Sequence, residues 1–169
     1  MLEYEVRACA GDRSQGAREL LLELMKRALG ERAEELFARL YKNENGKPML
    51  PDESGLFVSI SHSGECVAAV VADSPVGIDI EEMREPLTAK KTEILERFFA
   101  DEDTEKAKAD KSGREFYIFW TRREAAFKAY ATRPFYTEDP TKDREESIIS
   151  RTLTINGKAY ALAVACENK

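Results

Sequence analysis

The chain has 169 residues, 43% of them hydrophobic and 34% charged, so it carries enough apolar material to bury a core and is not a disordered tail. Its 26 basic and 32 acidic residues leave a net charge of −6, which argues against nucleic-acid binding, since that needs a net basic face. The longest unbroken apolar run, Cys66 to Ala72, has seven residues where a membrane span needs about 20, and the acidic N-terminus carries no signal-peptide pattern, so a cytoplasmic protein with no membrane partner is expected.

Leu2 to Cys9 alternates weakly and predicts a first strand. A helix follows, with Asp12 as N-cap and Gln15 completing a capping box. Ala17, Leu20, Leu21, Leu24, Met25 and Ala28 form its apolar stripe, and Gly30 fits the position just past its end. A shorter helix is expected over Glu31 to Tyr41, with Leu36, Phe37 and Leu40 inward. Asn43-Glu44-Asn45-Gly46-Lys47-Pro48 is a loop by its turn chemistry. Phe57 to Ser61 reads as a strand, with Val58 and Ile60 on one face and Ser59 and Ser61 on the other. His62-Ser63-Gly64 turns the chain, and Glu65 to Ala72 is continuous enough to be a central strand. Asp73-Ser74-Pro75 turns it again into Val76 to Glu81, which predicts a three-stranded meander.

Thr88 to Phe99 reads as a helix, and the polar stretch Asp101 to Lys111 as mobile surface. Ser112 with Glu115 forms a capping-box pattern for a long helix through Ala131. Arg133 to Ser147 is polar and reads as a loop. Ile148 to Ile155 and Lys158 to Cys166 flank Asn156-Gly157, the strongest short hairpin signal.

The three cysteines, Cys9, Cys66 and Cys166, are odd in number and widely spaced, which disfavours a disulfide framework. With His62 the only histidine, chemistry here should rest on carboxylates and hard metals. Asp79 and Glu81 stand at i and i+2 on a predicted strand and share a face, with Ile78 and Ile80 turned to the core. Two such acids mark either a solvated strand end or a place for a cation. Glu124 and Lys128 share a face of the long helix; they form either a surface ion pair or a charged pair that needs a further partner. His62 can be a hydrogen-bonded surface histidine, and Lys47 an exposed loop lysine. Arg13 sits at a helix N-terminus against the dipole, as a solvated cation or beside a bound anion.

Four segments in order resemble the motifs of the 4′-phosphopantetheinyl transferases. They are Asn45-Gly46-Lys47-Pro48, Val58-Ser59-Ile60-Ser61-His62-Ser63, Gly77-Ile78-Asp79-Ile80-Glu81, and Phe119-Trp120-Thr121-Arg122-Arg123-Glu124-Ala125-Ala126-Phe127-Lys128. The resemblance is to the monomeric type that primes surfactin synthetase, and it spans about half the chain. It implies an α+β fold of two pseudo-symmetric lobes, the first abbreviated over 1–52 and the second catalytic over 53–169. It implies transfer of the phosphopantetheine arm of coenzyme A to a serine of an acyl or peptidyl carrier protein by a monomer.

By the same resemblance Asp79, Glu81 and Glu124 would hold Mg²⁺, with Mn²⁺ possible. Asp79, Glu124 and Lys128 would be catalytic, Glu124 as the base for the incoming serine. Arg13, Asn45, Gly46, Lys47, Pro48, Ser61, His62, Arg123 and Lys128 would bind coenzyme A. The family's third motif usually reads Lys-Glu where this chain has Arg123-Glu124, and an arginine fork is not a lysine point charge. Two other readings use the same residues: a metal-dependent hydrolase of nucleotide pyrophosphates, and a non-catalytic relative that binds coenzyme A or a carrier.

Overall fold

The computed structural model describes residues 1–84, 86–130 and 147–167. The loop expected from Arg133 to Ser147 lies outside the described residues, Ser147 apart, as does Ala131 at the expected end of the long helix. The architecture is α+β, with two antiparallel three-stranded sheets packed face to face between helices. Among the described residues no helix is long and apolar enough to cross a membrane.

The first strand, β1 (Leu2–Ala8), leads into α1 (Arg13–Leu29). Asp12 caps α1 by accepting the N–H groups of Ser14 at 2.8 Å and Gln15 at 3.1 Å. The Gln15 side chain donates forward to Glu19 and does not close the capping box. Leu20, Leu21, Leu24 and Met25 are fully buried, as the stripe predicts. The second helix, α2 (Arg32–Ala38), stops short of Tyr41. Tyr41 belongs instead to a short strand, β2 (Tyr41–Lys42), paired with β3 (Pro48–Met49). Between them the Asn43 side chain accepts the N–H groups of Asn45 and Lys47, both at 3.0 Å, and Gly46 takes φ 78°. The expected loop is thus the rigid tip of a small hairpin.

The expected meander breaks after its second strand. β4 (Phe57–Ser63) and β5 (Cys66–Ala72) pair around a Gly64-Glu65 turn, with Ser63 opposite Cys66. His62 and Ser63 therefore lie in the strand and not in the turn, and Gly64 supplies the positive φ of 56°. β1 pairs with the other edge of β5, which makes β5 central. β6 (Val76–Glu82) joins a second sheet of order β6-β8-β7, with the terminal hairpin β7 (Ile148–Ile155) and β8 (Lys158–Cys166). That hairpin turns on Asn156 (φ 51°) and Gly157 (φ 75°), as the dipeptide predicts.

The reason for the break is burial. Every residue of β5 is buried, and the strand feeds two cores. Val67, Ala69 and Val71 face α1, while Cys66, Ala68, Val70 and Ala72 face the second sheet. Val76, Ile78 and Ile80 of β6 cover that second face together with Tyr160, Leu162 and Val164 of β8. Alternation within β6 is the same whether it extends the first sheet or crosses to a second.

Where the sheets meet, β4 and β6 run side by side and parallel, joined by side chains and not by a backbone ladder. Ser59 Oγ accepts the N–H of Ile78 at 3.3 Å, Ser61 Oγ that of Ile80 at 3.3 Å, and Ser63 Oγ that of Glu82 at 3.0 Å. The serine spacing of two places all three hydroxyls on one face of β4.

Three helices complete the fold: α3 (Ala89–Phe98), α4 (Asp101–Ala109) and α5 (Arg114–Tyr130). The stretch expected to be mobile from Asp101 to Lys111 is largely α4. Asp101, Glu102 and Asp103 at its start and Lys106 and Lys108 near its end complement the helix dipole. Thr104 is buried and donates to the Leu95 carbonyl at 3.3 Å, which ties α4 to α3. Asp110, and not Ser112, is the main cap of α5: its carboxylate accepts the Glu115 N–H and the Ser112 N–H, both at 2.9 Å.

α5 lies on β6 and β8 through residues small enough to allow close contact. Ala125, Ala126, Ala163 and Ala165 are all fully buried there. Gly77 sits directly beneath the helix: a Cβ at this position would stand 2.0 Å from the Ala125 carbonyl oxygen and 2.8 Å from Lys128 Cβ. Both atoms belong to the helix core and cannot swing aside. Gly77→Ala is therefore expected to push α5 off the sheet and to lower stability by about 1–3 kcal/mol, the usual cost of overpacking. Urea unfolding measures it, and an unchanged midpoint would refute this account of the contact.

Candidate active site

One cavity of about 600 Å³ opens between the β2–β3 hairpin, α1, β4, β6 and α5. Asn45, Gly46, Lys47 and Pro48 line it from the hairpin, Ser61 and His62 from β4, Asp79 and Glu81 from β6, and Glu124 and Lys128 from α5. Four separate segments of sequence thus reach one wall. β6 delivers its acids there because the intervening Ile78 and Ile80 are fully buried on the opposite face. α5 delivers Glu124 and Lys128 because they stand one turn apart on the face that meets Gly77.

Asp79 is the most enclosed charged group of the wall, 4% exposed. Its Oδ1 accepts from Ser61 Oγ at 2.9 Å and from Lys128 Nζ at 2.7 Å. Its Oδ2 is buried and has no hydrogen-bond partner. Lys128 also donates to the Ile78 carbonyl at 3.1 Å, so its ammonium is drawn to β6 and not to Glu124 on its own helix. The i,i+4 surface pair is not what forms. Glu81 accepts from Ser63 Oγ at 2.8 Å.

The electrostatics follow from this crowding. Burial pushes the Glu124 carboxyl up to about 7, and the nearby Asp79 charge adds to the effect. Burial and Asp79 also raise Glu81. Lys47 is pushed down to about 8 by burial and by Lys128. Its ammonium donates to the carbonyls of Val76 at 3.0 Å and Lys128 at 2.6 Å, which pins the hairpin to β6 and to the end of α5.

Arg13 and Arg123 do not line the cavity. Arg13 Nη1 donates to the Gly64 carbonyl at 2.8 Å, at the turn between β4 and β5. Arg123 is buried, with its guanidinium 5.6 Å from the Phe98 ring centre and 5.5 Å from that of Phe99. The step of about 100° between consecutive helical residues turns Arg123 from the cavity face that Glu124 occupies. The lining also contains residues to which the sequence assigned no role: Ser14, Arg18 and Lys42, and, within the fourth motif, Trp120 and Phe127. Ser14 and Arg18 are four apart on α1 and share a face, a signal that was present but had no partner in the sequence to give it meaning.

The donor set fits a hard divalent cation in its chemistry. All three acids offer oxygen, one buried oxygen of Asp79 is unpartnered, and two carboxyls are raised by burial and by the neighbouring acids. As positioned, among the described residues no three acidic, histidine or cysteine side chains are gathered closely enough to hold an ion. Lys128 and Ser61 both engage Asp79 Oδ1, which leaves Oδ2 open toward an entering cation.

A family model described as the 4′-phosphopantetheinyl transferase superfamily matches residues 75–165, from β6 to the end of β8. The chain is 40% identical over 87 residues to the 4′-phosphopantetheinyl transferase psf-1 of Bacillus pumilus, a match covering 50% of this chain and 36% of that protein. It is 34% identical over 93 residues to the 4′-phosphopantetheinyl transferase Sfp of Bacillus subtilis, covering 53% and 40%. It is 37% identical over 91 residues to the transferase gsp of Aneurinibacillus migulanus, covering 52% and 36%. The chain thus spans well under half the length of these curated relatives.

The raised Glu124 carboxyl makes stability depend on pH in a definite direction. Below about 4.5 the group is protonated both folded and unfolded; above about 7 it is ionised in both. Between these values the folded state holds the extra proton, so stability is lost as pH rises. Without divalent cations, the melting temperature of the wild type relative to Glu124→Gln is expected to fall between pH 4.5 and 7. A difference that stays flat across that range would contradict the burial argument.

Proposed function

The chain belongs to the 4′-phosphopantetheinyl transferase superfamily, whose model covers more than half of it, and from that premise we propose that it moves the phosphopantetheine arm of coenzyme A onto a serine hydroxyl of an acyl or peptidyl carrier protein. The observation that carries the reading is the wall where Asp79, Glu81, Glu124 and Lys128 meet in one cavity, with an unpartnered buried oxygen among them. A pyrophosphate is the kind of group that such a wall and a divalent ion recognise together.

Asp79, Glu81 and Glu124 would hold Mg²⁺ or Mn²⁺. When bound, the ion supplies countercharge to the pyrophosphate and makes the attacked phosphorus more electrophilic. Glu124, directly or through water, would accept the proton of the incoming serine on its carboxylate oxygen. Lys128 would neutralise charge on the pyrophosphate and on the departing adenosine 3′,5′-bisphosphate. Ser61 and His62 on the rim of β4 face the phosphates, and the backbone of Asn45-Gly46-Lys47-Pro48 flanks the nucleotide. Arg18 and Lys42, which also line the cavity, supply cations for phosphate on the side where Arg13 is engaged by Gly64. Trp120 and Phe127 give the arm an apolar wall.

Incubation with coenzyme A, Mg²⁺ and a panel of apo carrier proteins, followed by mass spectrometry, should show carriers gaining the arm. Chelation of divalent ions should abolish the gain, and Glu124→Gln should reduce the rate by about 10²–10⁴-fold, the span of general-base catalysis. A folded protein that modifies no carrier sinks the proposal. Release of phosphopantetheine with no carrier present would point instead to hydrolysis of the pyrophosphate.

A further inference from the structure

Resting on that reading of the acid wall, we infer that Ser63 is a positioning residue, whose hydroxyl holds Glu81 in place for the divalent ion. Its Oγ is engaged in both directions: it accepts the backbone N–H of Glu82 at 3.0 Å and gives its single proton to Glu81 Oε2 at 2.8 Å. The accepted bond fixes where the hydroxyl sits, since it is anchored to the strand that carries Glu81. The donated bond then fixes the carboxylate.

The comparison with Ser61 shows why Ser63 matters more. Ser61 makes the same two bonds one step along the strand, to the Ile80 N–H and to Asp79. Asp79 has a second holder, Lys128 at 2.7 Å. Glu81 has none: among the described residues Ser63 is the only hydrogen-bond partner of its carboxylate. Glu81 also has the longer side chain, with one more rotatable bond to hold, and it lies at the more open end of β6. Loss of the Ser63 hydroxyl leaves the Glu81 carboxylate without a fixed orientation in the cavity and removes the Oγ acceptor of the Glu82 N–H. Removing a partner that orients a metal-binding carboxylate commonly weakens the metal site by 10- to 100-fold.

Binding of Mn²⁺ in the presence of coenzyme A, followed by the electron paramagnetic resonance signal of the free ion, reads this directly and without turnover. Ser63→Ala should weaken Mn²⁺ binding by about 10- to 100-fold, and Ser63→Thr, which keeps the hydroxyl, should bind within about threefold of wild type. Glu81→Gln should lose at least as much as Ser63→Ala. Thermal melting without metal checks that each variant folds; if Ser63→Ala does not, Ser63→Cys, close in shape and a poor donor, takes its place. If Ser63→Ala binds Mn²⁺ like wild type while Glu81→Gln does not, the positioning role is overturned and the acid wall stands. If wild type and Glu81→Gln bind alike, or neither binds, the reading of the wall falls and this inference with it.

Discussion

The structure depends on how three carboxylates are kept together on one half-buried wall. Like charges at this spacing repel, and burial raises the cost of each. The chain meets that cost with one ammonium, Lys128, placed 2.7 Å from Asp79, and with hydroxyls from the neighbouring strand. The compensation is incomplete. Glu124 and Glu81 both hold their protons more strongly than usual, and Asp79 keeps an unpartnered oxygen.

That balance requires α5 to lie unusually near β6. Gly77 and the alanines of α5 and β8 are the sequence features that permit it. The same close approach brings the end of α5 to Lys47, which ties the β2–β3 hairpin to the opposite side of the cavity through two backbone carbonyls. Lys47 is therefore a strut as well as part of the lining. The cavity is defined from both sides by contacts that converge on one helix.

The serine face of β4 has a comparable double use. Its hydroxyls take the place of a backbone ladder between the two sheets and at the same time orient the acids of β6. A backbone carbonyl could accept the N–H groups of β6, but it has no proton to pass on to a carboxylate. Hydroxyls at intervals of two can do both, which makes the joint between the sheets also the support of the acid wall.

Much of this was legible in the amino-acid order. The strands, the first helix with its Asp12 cap, the Asn156-Gly157 hairpin and the shared face of Asp79 and Glu81 are local consequences of periodicity and turn chemistry. The four motifs named most of the residues that the cavity assembles. Tertiary structure alone decided which sheet β6 joins, since its alternation is compatible with either. It also decided that Lys128 answers Asp79 across the fold and not Glu124 on its own helix, that Arg13 and Arg123 turn to other partners, and that the exposed polar stretch after Ala100 forms the helix α4, anchored by buried Thr104 and Ala107. Each of these outcomes is set by contacts between segments distant in sequence, and a pattern within one segment contains no term for the surface it will meet.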